Sequence, residues 1–294
     1  VKNVQLCGSG FIANSLWSHA LDFSSQDFSM SLSSREFIYA HKQNEILPLI
    51  QELNDKKIDV IVNVSGPTNI QESFSHLDKY VHEPALQVKK HLNILNLSNR
   101  SISYIYMSSA SVYGDTPIAA DELTELRPES PYALGKANVE SLLLNRSGGE
   151  KDIGVTILRA TSAYNKYLDK RVLWVIKESI QNSKAITLSG SGNETRDFLH
   201  TSDLWRYITG TIRNSRELSE IYNVGCGESL TTKKLVEIAK LSMHHEQDFN
   251  NLISFSEILR RGDPENMKVN IRKLENLGVS PLISPQAGLA DYFA

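Results

Sequence analysis

The sequence predicts an α/β fold, a doubly wound parallel sheet followed by a smaller, mixed α/β C-terminal domain. Short apolar runs alternate with longer amphipathic segments, a glycine-rich turn follows the first run, and the alternation loosens beyond residue 164. The runs are Val4-Gln5-Leu6-Cys7, residues 28–32, Asp59-Val60-Ile61-Val62-Asn63-Val64, Tyr104-Ile105-Tyr106-Met107 and Val155-Thr156-Ile157-Leu158. Runs apolar on both faces suit parallel strands covered by helices on each side, and the intervals are long enough for parallel crossovers. From Asn165 onward come turn signals at Ser189-Gly190-Ser191-Gly192 and Gly225-Cys226-Gly227, helical periodicity over 231–242, and Pro264, Pro281 and Pro285. Residues 1–164 are therefore expected to form the first domain, with a returning segment near 200–224, and residues 165–294 mainly the second.

The first run leads into Gly8-Ser9-Gly10-Phe11-Ile12-Ala13, a G-x-G-x-x-A turn opening a helix expected over 11–21. Backbone amides and the helix dipole at such a terminus hold a pyrophosphate; the first glycine makes the turn and the second clears room for the phosphates. This makes the first domain Rossmann-type and places Gly8, Ser9, Gly10, Phe11 and Ile12 at a dinucleotide. The second strand ends in Ser33-Ser34-Arg35, where an acid would select NAD. Two hydroxyls and a guanidinium suit a 2′-phosphate, so NADP(H) is the preferred cofactor and NAD(H) the alternative. The bland reading is an Arg35–Glu36 surface pair.

Ser130 and Pro131 suit a helix start, which puts Tyr132 and Lys136 one turn apart on one face. A tyrosine near its ordinary pKa of about 10 is a poor acid–base at neutral pH, and a neighbouring ammonium favours its phenolate. Upstream, Ser108-Ser109-Ala110-Ser111-Val112-Tyr113-Gly114 sets hydroxyls at the carboxyl end of a strand, where ligands of open α/β sheets bind. Ser109 is placed to bond a substrate carbonyl, and Ser111 is a second candidate contact. A plain Ser-rich turn is the alternative for Ser108 and Ser111.

The pair Ser108–Gly114 and Ser130-Pro131-Tyr132-Ala133-Leu134-Gly135-Lys136 resembles the signature of extended short-chain dehydrogenase/reductases, the NAD-dependent epimerase/dehydratase family. Further matches run in order: Gly8-Ser9-Gly10-Phe11-Ile12, Asn63-Val64-Ser65-Gly66, Thr195-Arg196-Asp197-Phe198-Leu199-His200, Tyr222-Asn223-Val224-Gly225, and Arg260-Arg261-Gly262-Asp263. The resemblance implies Ser109, Tyr132 and Lys136 as the catalytic set, with Lys136 also at the nicotinamide ribose. It implies Val64, Ser65 and Gly66 at the cofactor, Arg196 and Arg260 at a nucleotide diphosphate, and Asp263 at a ribose hydroxyl. Arginine forks suit paired phosphate oxygens, while the plainer alternative for each is an exposed ion pair. The chain departs from the pattern at Cys7 and Ala13, where the family shows glycines, and at Ala40-His41-Lys42, which lacks an acid near the adenine. Thr161 and Ser162 stand where an asparagine commonly contacts the sugar, and are the candidates there.

Members of this resemblance share hydride chemistry at a sugar carbon and differ in the subsequent steps. Elimination of water needs an Asp-Glu pair after the catalytic Ser or Thr, and this chain has Ala110-Ser111. The expectation is NADPH-dependent reduction, at C4, of a nucleotide-linked 4-keto-6-deoxyhexose, in the nucleotide-sugar biosynthesis that feeds polysaccharides. The alternative is a nucleotide-sugar 4-epimerase, and a non-catalytic dinucleotide-binding protein is a third reading.

The 294 residues hold 31 Lys and Arg against 34 Asp and Glu, so the net charge of -3 points to no nucleic acid or anionic membrane. Cys7 and Cys226 fit no metal-ligand spacing, and His244-His245 lack ligand-spaced partners, so no metal is expected. Reduced thiols, the lack of a basic leader before Gly8 and the lack of a membrane-length apolar run predict a cytoplasmic protein. The resemblance also implies a homodimer paired through the Tyr132 helix and a helix over 84–97. Leu86, Leu92 and Leu95 serve either that contact or the chain's own core.

Overall fold

A computed structural model describes residues 1–22, 27–33, 46–145, 153–214, 219–243 and 252–294. The expected strands form: β1 (Lys2–Cys7), β2 (Phe28–Leu32), β3 (Val60–Asn63), β4 (Ser103–Ser109) and β5 (Val155–Ala160). A sixth, β9 (Glu220–Val224), joins them after three short strands, β6 (Ser162–Tyr164), β7 (Ile186–Leu188) and β8 (Thr195–His200). The sheet runs β2-β1-β3-β4-β5-β9 with every pairing parallel. The order reverses between β1 and β3, so the chain winds helices onto both faces, as the fold class requires.

Strand alternation divides the core in two. Val60, Val62, Ile105, Met107 and Leu158 face one way, against α1 (Phe11–Asp22) and a helix over Thr201–Asn214. Ile61, Tyr104, Tyr106, Val155 and Ile157 face the other way, against α2 (Ile46–Asp55) and helices over Glu83–Leu97 and Pro131–Leu144. In chain order the remaining helices are α3 (Ile70–Ser73), α4 (Glu83–Leu97), α5 (Pro131–Leu144), α6 (Arg171–Gln181), α7 (Thr201–Asn214), α8 (Thr232–Ser242), α9 (Arg272–Glu275) and α10 (Pro285–Phe293). A π-helical turn, Asp78–His82, runs directly into α4.

The second half packs its own core from Leu173, Ile176, Phe198, Leu235, Leu289 and Phe293. There β8 pairs with β6, with β10 (Ser229–Thr231) and with β12 (Asn266–Met267), while β7 pairs with β11 (Ile253–Phe255). Asp197 on β8, fully buried, accepts from Cys226 N and Gly227 N, both at 2.9 Å, and so ties this unit to the loop after β9. Leu92 and Leu95 belong to the sheet core, and Leu86 is 55% exposed. No helix among the described residues is long and apolar enough to cross a membrane. Ser34, Arg35, the 37–42 segment and His244-His245 lie outside the described residues.

Candidate active site

At the β1–α1 turn the backbone itself is the candidate binding group. Gly8 has φ +152°, and a Cβ there would stand 2.8 Å from Val64 Cγ2 and 3.2 Å from Ala13 Cβ. A Cβ at Gly10 would meet nothing within 4 Å, so open space lies ahead of the α1 terminus, whose first turn carries no acidic residue. That cradle fits a pyrophosphate. Cys7 is wholly buried beneath it and its thiol is pushed up to about 12 by burial, so it is a packing residue. Ser33 turns toward β1: its hydroxyl lies 3.2 Å from the Leu6 carbonyl oxygen and 2.8 Å from Cys7 Sγ.

Helix α5 begins as expected. Ser130 Oγ accepts from Ala133 N at 3.2 Å, and Pro131 occupies the first turn. The glycine between Tyr132 and Lys136 is demanded by packing: a Cβ on Gly135 would lie 1.8 Å from the Tyr80 carbonyl oxygen. The backbone of the π-helical turn therefore rests directly on α5. This contact draws Tyr80, Pro84, Ser65, Gly66 and Pro67 around Tyr132 and Lys136 in one concavity. Asn69 N donates to the Tyr80 hydroxyl at 3.3 Å, and that hydroxyl donates to Glu72 at 3.1 Å.

Ser109 closes β4 and hydrogen-bonds the Tyr132 phenol. Ser111, buried two residues on, donates its hydroxyl to Ser109 Oγ at 2.9 Å and so orients it. Burial raises the Tyr132 phenol above its ordinary range, against downward pulls from the Ser109 hydrogen bond and the Arg171 charge. Lys136 is 8% exposed; burial lowers it to about 8, and Glu140 opposes that fall. Its Nζ donates to the Met107 carbonyl at 2.7 Å and stands 4.8 Å from the centre of the Tyr106 ring. The four-residue spacing predicts that lysine draws the phenol down. In the described contacts the ammonium is held at the strand, and the phenol is favoured in its protonated form.

The remaining candidates divide. Thr161 is buried and donates to Asp197 Oδ1 at 3.0 Å, and Ser162 lies half-buried on β6. Arg196 donates Nη2 to the Pro264 carbonyl at 2.7 Å and Nη1 to the Glu265 and Thr195 carbonyls at 3.1 and 2.8 Å. Arg260 Nε donates to Ser189 Oγ at 2.8 Å. Asp263 feels both arginines, yet burial raises its carboxyl. The three thus gather around one loop, the arginines engaged with neutral oxygens.

Sequence reasoning passed over Tyr80, Glu140, Arg159 and Arg171. Glu140 had a readable signal, being one turn beyond Lys136. Arg171 had none: it is exposed at the start of α6 with a left-handed φ of +67°, and only the fold brings its charge toward Tyr132.

A parallel sheet with a glycine cradle after its first strand and a Ser–Tyr–Lys cluster at the carboxyl end of a central strand defines a dinucleotide-type α/β enzyme. The family model described as "NAD dependent epimerase/dehydratase family" matches residues 19–225, and the chain belongs to that family. A putative UDP-glucose 4-epimerase of Methanocaldococcus jannaschii is 26% identical over 264 residues, covering 86% of this chain and 81% of that protein. YtcB of Bacillus subtilis, described as an uncharacterized UDP-glucose epimerase, is 27% identical over 250 residues, 81% of this chain and 74% of its own. Among solved structures, MoeE5 in complex with UDP-glucose and NAD superposes with a TM-score of 0.84 at 20% identity, covering 99% of this chain and 97% of its own. RMD from Pseudomonas aeruginosa complexed with NADPH gives 0.82 at 21% identity, covering 100% and 98%. The protein is an enzyme of the nucleotide-sugar epimerase/dehydratase type.

Proposed function

We infer that the chain moves a hydride and a proton at C4 of a nucleotide-linked hexose, and that its net reaction is reduction of a 4-keto-6-deoxyhexose. The observation that carries this reading is the cluster at the end of β4, where the Tyr132 phenol is hydrogen-bonded to Ser109 and shares one concavity with Lys136. A protonated phenol is the form that donates to an alkoxide. Ser109 orients the substrate oxygen, and Ser111 fixes Ser109. Lys136 holds positive charge in the same concavity as the phenol and, with Gly8, Gly10, Phe11, Ile12, Val64, Ser65 and Gly66, forms the seat for a nicotinamide dinucleotide. That cofactor, when bound, supplies the hydride. Arg196 and Arg260 take the nucleotide diphosphate after leaving their present oxygen partners, and Asp263 takes the ribose. Ala110-Ser111 in place of an acidic pair disfavours elimination of water.

Ser33-Ser34-Arg35 favours NADPH, and NADPH favours a reductase. The second reading, a 4-epimerase, is favoured by the relatives described as UDP-glucose epimerases. Purified protein incubated with NADPH and a panel of nucleotide-linked 4-keto sugars separates the two. Reduction predicts stoichiometric loss of nicotinamide absorbance. Interconversion of UDP-glucose and UDP-galactose with no net absorbance change, by protein purified with tightly bound NAD, would establish the epimerase instead. Arg35→Ala is expected to raise KM for NADPH about tenfold more than KM for NADH, the size of one charge-assisted phosphate contact.

A further inference from the structure

The segment that follows β3 touches both halves of the candidate site. At one end Ser65, Gly66 and Pro67 line the concavity that holds Tyr132 and Lys136. At the other, α3 and the residue after it meet the Arg260-Arg261-Gly262-Asp263 loop of the second half. Gln71 Nε2 donates to the Arg261 carbonyl oxygen at 3.0 Å, and the Arg261 guanidinium stands 4.2 Å from the centre of the Phe74 ring. Gly262 closes the contact: its φ is +76°, and a Cβ there would lie 2.8 Å from Phe74 Cζ and 2.9 Å from Ser130 Cβ. The loop backbone therefore rests on the Phe74 ring and on Ser130, the cap of α5, two residues before Tyr132.

Core packing is a weak reason for this junction. Gln71 and Arg261 are exposed and Phe74 is half-buried, so little apolar surface depends on it. Arg261 makes no ion pair among the described residues and instead lies over a ring face, which attracts a cation. Its neighbour points to another partner, Arg260 Nε donating to Ser189 Oγ within the second half. Of the two adjacent arginines, one is thus left to exchange its partner for a ligand, and the other ties the loop to the first half. A loop held in place before binding loses less conformational freedom when a ligand arrives, which favours affinity.

We propose that Arg261 and Phe74 are positioning residues for nucleotide-sugar binding: their stacking, with the Gln71 bond, latches the loop that carries Arg260 and Asp263 onto the start of α5. The part that Arg260 and Asp263 play rests on the reading under Proposed function; the latch itself does not.

Two measurements on the full chain test it. The first, hydrogen–deuterium exchange over residues 257–264, uses no ligand. Phe74→Ala and Arg261→Ala should each speed exchange there about threefold with an unchanged melting curve, and Phe74→Tyr, which keeps the ring face, should restore wild-type protection. The second is calorimetric binding of uridine diphosphate and of thymidine diphosphate. The alanine variants should bind about threefold to tenfold more weakly than the wild type, and the double variant no more weakly than the weaker single one, because both remove the same contact. Unchanged exchange in both alanine variants, or wild-type affinity for the diphosphates despite faster exchange, would overturn the proposal. If the wild type binds neither diphosphate, the functional reading falls, while the exchange comparison still decides whether the pair seats the loop.

Discussion

The two walls of the cleft are built on opposite plans. On the proposed catalytic wall the side chains are held by the fold: Ser111 holds Ser109, the Met107 carbonyl holds Lys136, and the Tyr80 backbone rests on Gly135. On the diphosphate wall the cations are engaged elsewhere, Arg196 on the Pro264 and Glu265 carbonyls and Arg260 on Ser189. A phosphate competes well against these neutral oxygens because it offers a guanidinium opposite charge and paired acceptors for its fork. On the proposed reading, the chemistry sits on a well-packed sheet end, and substrate capture sits on a loop whose arginines must change partners. Buried polar groups must be satisfied within the fold, whereas the half-exposed Arg196 and the exposed Arg260 are free to take a ligand in exchange.

The comparison breaks most severely at Tyr132. Tyr132→Phe removes the proton donor while leaving the ring that packs, so turnover should drop about 10²- to 10⁴-fold with an unchanged melting curve. A variant that retained wild-type turnover would remove the phenol from the chemistry. Next in size is Gly135→Ala, which forces a methyl into the Tyr80 carbonyl. It should cost about 1–3 kcal/mol in denaturant unfolding, because the obstruction is backbone and cannot rotate away. The smallest effect is expected on the diphosphate wall. Arg260→Ala should raise KM for the nucleotide sugar about tenfold and alter kcat little, as loss of one charged hydrogen bond does. A fall in kcat with unchanged KM would mean that this wall takes part in the chemical step.

Much of the catalytic wall was legible because its signals are local. Strand alternation placed β4, Ser130 and Pro131 marked the start of α5, and a four-residue spacing put Tyr132 and Lys136 on one face. The direction of the Tyr132 shift was not legible. Spacing brings two side chains near each other, but the acceptor that Lys136 chooses depends on Met107, far away in sequence. Thr161 shows the same limit: its place after β5 was readable, but its bond to Asp197, 36 positions away, was not. Arg171 was invisible because no local signal ties it to Tyr132, 39 positions away; only the fold brings its charge there.

By itself the sequence determined the α/β class, the strands of the first half, the glycine cradle and the family-type motifs, all properties of short windows with a defined periodicity. The tertiary structure decided which of those residues meet. It set Gly135 against Tyr80, enclosed Glu140 and Arg159 beside Lys136, sent Leu92 and Leu95 into the core and left Leu86 outside. The physical reason is that burial and long-range partners, rather than residue type, determine the charge state and orientation of a polar side chain.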